Sequence, residues 1–289
     1  NIRVTIDGNE VAPEHSSKLD LRMVRATFDP AWEQQQARQI VTEWDLLPEN
    51  SARGTVRASA TAFYIADQTA LPLWQPPSGV FTKGGATPEE EILTVTTPGD
   101  FRVLAPGKSL KRSLAGNVAT QSFRIKQDKD FLPYVVAGRY EEQVIGARQG
   151  AVSFWTFRPI AAEQARTAAA RLSTSMRTFR DFFGPASNAK AIIHVVETAG
   201  DLPSEFGELT DAGGTSFPEG VLLDSRAFAR GIANEAVLEL AEYELARTWF
   251  GWRVHPRPEA QILMDRGMGL FSSVLAAEAR GQTQRRLAI

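Results

Sequence analysis

The chain has 289 residues, 43% of them hydrophobic and 23% charged, with a formal net charge of −2. That is enough for one large or two ordinary domains, each with its own core. The charge balance and the lack of a long basic run argue against a nucleic-acid or anionic-membrane partner. With no cysteine, disulfides and thiolate metal sites are excluded, although this does not choose a compartment. No apolar run reaches the roughly 18 residues a spanning helix needs, and no signal peptide opens the sequence. The first residue is Asn1, so the chain is expected to be a piece of a longer protein.

Residues 1–157 read as β. Ile2 to Ile6 and Lys18 to Val24 alternate with period two and stop at turn formers such as Asp7-Gly8-Asn9. The pattern returns at Thr55 to Phe63, Ile92 to Thr96, Ser122 to Lys126 and Ala151 to Phe157. Trp74 to Gly79 and Thr96 to Gly99 read as loops between them. A mostly polar helix fits Pro30 to Gln39. The expected architecture is an antiparallel β-sandwich or curved sheet, within an α+β chain.

Around residue 158 the period changes to about 3.6. Ala165, Ala168, Leu172, Met176, Phe179 and Phe183 form one apolar stripe, closed by Gly184-Pro185. Strands are expected at Ala191 to Val196 and Gly220 to Asp224, the second after the turn Asp211 to Gly214. Two helices follow, at Asn234 to Phe250 and Glu259 to Ala279. The division expected is a β-rich part, 1–157, and a second part, 158–289. An apolar face at Leu270, Phe271, Val274 and Leu275 is expected to be exposed and to recruit a partner. His194 sits in an apolar strand and is read as a satisfied core or edge histidine.

The stretch that carries chemistry is Glu242-Tyr243-Glu244-Leu245-Ala246-Arg247-Thr248-Trp249-Phe250-Gly251. It has the outline of H-E-x-x-H followed by x-W-F-G. In that motif two His one turn apart leave the same helix face toward zinc, with the Glu as general base. Together with Gly251 to Pro256 and Leu263 to Gly267, this frame resembles the membrane alanyl aminopeptidase family of gluzincins. Phe131 to Tyr140 is similar to the last strands of that family's N-terminal β domain, and Phe63-Tyr64 with Leu71 to Trp74 to an earlier part of it.

The resemblance implies the first half of a thermolysin-like domain for 158–289, zinc as the family cofactor and peptide hydrolysis as the family activity. The same alignment puts the general base on Glu244. It puts the three zinc-ligand positions on Tyr243, Arg247 and Arg266, and the amine-binding Glu on Ser216, with Glu219 three residues away. Arg has no lone pair to give and stays charged, so no zinc is expected here. The family's transition-state Tyr falls beyond Ile289.

Two readings stay open at Glu244. In one, it forms a structural ion pair with the arginines, and Arg266 is expected to enter the zinc position and bind it. In the other, the vacated cleft binds a peptide or, with two arginines against one carboxylate, an anionic ligand. The reading is therefore a pseudopeptidase acting in binding or scaffolding, with missing parts of the same protein as further partners. Its parent is expected to be extracytoplasmic or membrane-tethered. The alternative is an active metallo-aminopeptidase with unusual ligands.

Overall fold

Among the described residues, seventeen strands and four α-helices are laid out so that three of the β-sheets stack on one another and helices cover the last of these. The computed structural model describes residues 2–12, 14–18, 21–25, 39–44, 56–65, 90–126, 134–146, 150–185, 192–202, 211–250 and 263–282. The expected helix at Pro30 to Gln39 falls almost wholly outside these residues, as do the Leu71 to Gly79 segment and Gly251 to Ile262.

The first strands are β1 (Ile2–Ile6), β2 (Asn9–Val11), β3 (Glu14–Lys18), β4 (Leu21–Arg25), β5 (Ile40–Trp44), β6 (Val56–Ala58), β7 (Ala62–Ile65), β8 (Glu90–Pro98) and β9 (Arg102–Leu104). Then come β10 (Lys108–Ala115), β11 (Val118–Lys126), β12 (Val135–Gly138), β13 (Glu141–Ile145) and β14 (Val152–Thr156). The run expected at Thr55 to Phe63 is thus two strands. A turn separates them, closed by Ser59 Oγ, which accepts from the amides of Thr61 and Ala62.

These strands form a three-stranded sheet β2-β1-β5, a hairpin β3-β4, a three-stranded sheet β10-β11-β8 and a four-stranded sheet β6-β7-β12-β9. The last two pack face to face. Val95 and Phe123 of one meet Val103, Val135 and Ala137 of the other, which is the sandwich the alternation predicts. The opposite face of the four-stranded sheet offers Ala62, Tyr64, Leu104 and Val136 to a second layer.

That second layer is a five-stranded sheet, order β13-β14-β15-β17-β16, where β15 is Ile193–Thr198, β16 is Gly214–Phe217 and β17 is Gly220–Asp224. β14, β15 and β17 run parallel, and β13 and β16 are antiparallel edges. The sheet takes strands from both sides of residue 157. The change of period at 158 therefore marks the first helix and not the edge of a sheet. One face carries Trp155, Val196, Phe217 and Leu222 against the four-stranded sheet. The other carries Val152, Phe154, Ile193, Val195, Val221 and Leu223 against helices.

The helices are α1 (Ala162–Phe183), α2 (Ser225–Arg230), α3 (Glu235–Phe250) and α4 (Met268–Ala279). The expected stripe of α1 is buried at Ala165, Ala168, Leu172, Met176 and Phe179, and Phe183 packs at its end. Gly184, at φ 85°, closes the helix by donating its N–H to Arg180 O. Of the helix expected from Glu259, the described residues begin with a π-helical turn, Leu263–Gly267, that runs into α4. Of the four apolar residues expected to be exposed on it, only Phe271 is; Leu270, Val274 and Leu275 are half-buried.

Candidate functional site

Asn234 opens α3 by accepting from the amide of Ala236, and Glu235 and Arg247 place opposite charges at the ends that favour them. The helix is buried on most sides, because the sheet, α1 and α4 all cover it. Glu242, Tyr243 and Glu244 consequently face three different surroundings while each remains buried.

Glu244 is completely enclosed (0% exposed). The β16 edge strand comes against it at Gly214, where a Cβ would lie 3.2 Å from Glu244 Cγ and 3.1 Å from Leu223 Cδ2. Arg247, one turn along, places Nη1 3.1 Å from Oε1 and 2.9 Å from Oε2 of Glu244. The Arg247 side chain is only 12% exposed, and its Cζ stands 5.6 Å from the centre of the Tyr243 ring. Charge and ring thus form one packed unit.

α4 closes over this unit at Gly269. A Cβ there would meet Tyr243 Cε2 at 2.6 Å and Arg247 Cγ at 3.3 Å. Gly269→Ala is therefore expected to lose about 1–3 kcal/mol by overpacking, read as a lower urea midpoint at unchanged slope.

The structure brings Tyr243, Glu244 and Arg247 together. Arg266 lies on the π-helical turn and is exposed. Glu244 is fully enclosed and Arg266 is exposed, so the expected burial of the Arg266 guanidinium in the zinc position is corrected here, and Arg247 is a cation that holds Glu244. Ser216 is buried (4% exposed) on the face of β16 shared with Gly214, in register with Val221. Glu219 sits at the turn of the β16–β17 hairpin, the end away from Gly214, and accepts a hydrogen bond from Tyr134 Oη. That contact holds it at the far end of the hairpin from Gly214 and Glu244.

These donors do not fit zinc. Both oxygens of Glu244 face a permanent cation, and Arg247 has no electron pair to offer. Among the described residues no group of three His, Cys, Asp or Glu could hold a metal ion.

Sequence reasoning missed Glu242. It is 1% exposed and accepts from Arg171 Nη2 at 2.8 Å, from Ser175 Oγ and from Arg280 Nη1. One carboxylate thereby ties α1, α3 and the end of α4. The signal was available: a Glu inside a helix apolar on its other faces requires partner cations. Asp224 was missed as well. It is fully buried, caps α2 through the amides of Arg226 and Ala227, and accepts from Gly213 N at 2.8 Å. It holds the start of β16 where Gly214 meets Glu244.

The strand-and-helix arrangement is similar to solved zinc peptidases. An M1 zinc metallopeptidase from Deinococcus radiodurans matches 97% of this chain at 17% identity, with a TM-score of 0.60, over 61% of its own length. A two-domain M1 zinc metallopeptidase mutant bound to L-arginine matches 96% at 16% identity and TM-score 0.62, over 60% of its length. Legionella pneumophila aminopeptidase A in complex with aspartic acid matches 96% at 14% identity and TM-score 0.63, over 33% of its length.

The fold is that of the M1 zinc metallopeptidases.

Identities of 14–17% carry the fold and not the activity. The chain spans about three-fifths of the Deinococcus protein and one-third of the Legionella one. No protein-family model and no curated protein matches the sequence.

Proposed function

We propose that this chain is a pseudopeptidase: an aminopeptidase-type scaffold that no longer performs zinc hydrolysis and acts by binding or scaffolding. The single observation that supports this is Arg247 Nη1 held against both oxygens of Glu244. A general base must accept a proton from water. A carboxylate enclosed against a guanidinium is tied up by a charge-assisted contact instead.

In this reading 158–289 is a thermolysin-like half and 1–157 the β-rich part before it, joined by the sheet that crosses residue 157. Tyr243, Arg247 and Arg266 occupy the former ligand positions, and Ser216 the former amine-binding position. A peptide or an anionic ligand is the proposed occupant of what remains of the cleft, and further parts of the parent protein are proposed partners. The net charge of −2 supports no nucleic-acid partner. We place the parent outside the cytoplasm or at a membrane. No helix among the described residues is long and apolar enough to cross one.

The test is metal content and turnover together. After equilibration with zinc and removal of the excess, the chain is expected to hold well under one zinc per molecule. It is also expected to leave amino-acid-amide fluorogenic substrates uncleaved. One tightly bound zinc per chain, with turnover abolished by Glu244→Gln, would establish the active metallo-aminopeptidase in its place.

A further inference from the structure

Between the four-stranded and the five-stranded sheet lies a layer the function above does not use, and His194 of β15 borders it. Its ring is half-buried and stands edge-on to Trp155, at 6.2 Å and 79°. Nδ1 is enclosed and has no hydrogen-bond partner among the described residues. This corrects the expectation of a satisfied histidine.

The neighbouring groups explain why. Across the parallel pair His194 is in register with Ser153, whose Oγ accepts from Trp155 Nε1 and donates to Glu142 Oε1, both at 2.8 Å. On the other side it is in register with Gly220, which offers no side chain and could not carry one. A Cβ there would lie 1.9 Å from His194 O.

The charged groups around the layer are also engaged. Glu142 of β13 faces Arg102 of β9, and Glu219 of the hairpin turn takes the Tyr134 hydroxyl. Glu197, further along β15, accepts from Phe157 N at 2.9 Å. Arg57 of β6 lies beside Gly200. The tyrosines of the layer, Tyr64, Tyr134 and Tyr140, are held neutral by burial.

We infer that the contact between these two sheets is an acid-sensitive joint, loosened when His194 must carry a second ring proton with no acceptor for it. Burial lowers the His194 pKa from 6.5 to about 4. The open or unfolded chain therefore binds a proton that the closed form refuses. The stability of the joint is full above the ordinary histidine range and is lost as pH falls through 6.5 toward 4.

Glu219 and Glu197 act in the opposite sense. Burial raises their pKa values, so they bind protons in the closed form first and favour closure at the acid end of the range. The histidine effect is separated from theirs by comparing variants that keep both carboxylates.

The experiment is urea unfolding of the chain and of His194→Gln at a series of pH values from 7.5 to 4. It is paired with an NMR titration of the imidazole in a chain whose other histidines, His15 and His255, are replaced by Gln. The chain is expected to lose on the order of a hundredfold more of its folding equilibrium than His194→Gln across this range. The His194 ring is expected to titrate well below 6.5. Equal acid losses in the two proteins would overturn the joint. So would a His194 ring titrating near 6.5, and that measurement decides the matter even where His194→Gln fails to fold.

Discussion

Glu242→Leu is expected to destabilise the chain by about 3–5 kcal/mol, the effect of leaving buried charges without their counter-ion. The carboxylate is almost fully enclosed and is shared by Arg171, Ser175 and Arg280. Without it, Arg171 keeps Glu235, whose side chain is about half exposed, and Arg280 keeps Gln282. Neither replaces a buried carboxylate: Glu235 is partly hydrated, and Gln282 carries no charge. Thermal unfolding is expected to fall by about 10 °C, given roughly 2–4 °C per kcal/mol in a chain of this size.

Glu242→Gln keeps the shape and loses the charge, so its cost is expected to be smaller. Converting Arg171, Glu242 and Arg280 together to Leu is expected to recover much of the loss, since apolar replacement of a buried ion cluster is often neutral. A Glu242→Leu chain within 1 kcal/mol of the parent would show that the three helices hold together without this carboxylate.

Arg247→Met is the second large effect, again about 3–5 kcal/mol. Met preserves most of the stem that packs under Gly269 but removes the charge from Glu244, which has no exposure to water. The decisive comparison is Arg247→Met with Glu244→Gln. Neutralising the carboxylate should restore a substantial part of the stability, measured by urea midpoints as a double-mutant cycle. If the double variant is as unstable as the sum of the singles, Arg247 acts through packing and not through charge.

Much of the fold could be read from periodicity. The α1 stripe is legible because its apolar members share one helix face, buried against the sheet and α3, and the strands β14, β15 and β17 because burial on both faces makes them largely apolar runs. β10 could not be read. All its residues, Lys108 to Ala115, are exposed, so no alternation marks it, and pairing with β11 alone makes it a strand. α2 has six residues, too few for a period, and is specified by the Asp224 cap.

At the site, the Glu244–Arg247 contact was legible because residues three apart share a helix face. Arg266 was not. An ungapped alignment carries a position and not its local backbone, and here that backbone is the π-helical turn Leu263–Gly267. Position 266 keeps its number in the alignment, but it falls in that turn and is exposed. Glu242 was overlooked because its cations lie on α1 and after α4, and no local spacing joins them.

The position of β12 has a consequence for how the chain is made. β12 sits between β7 and β9, pairing Val136 with Tyr64 on one side and with Leu104 on the other. It is the last of its sheet to be synthesised, about 70 residues after β7. At a translation rate of roughly 5–20 residues per second, β7 waits several seconds with one edge unpaired. During that interval Phe63 and Tyr64 lie on a bare edge able to pair with other chains. Slow synthesis through residues 66–135 is therefore a stage at which the nascent chain is open to aggregation, and a chaperone acting then should raise yield more than one supplied after release.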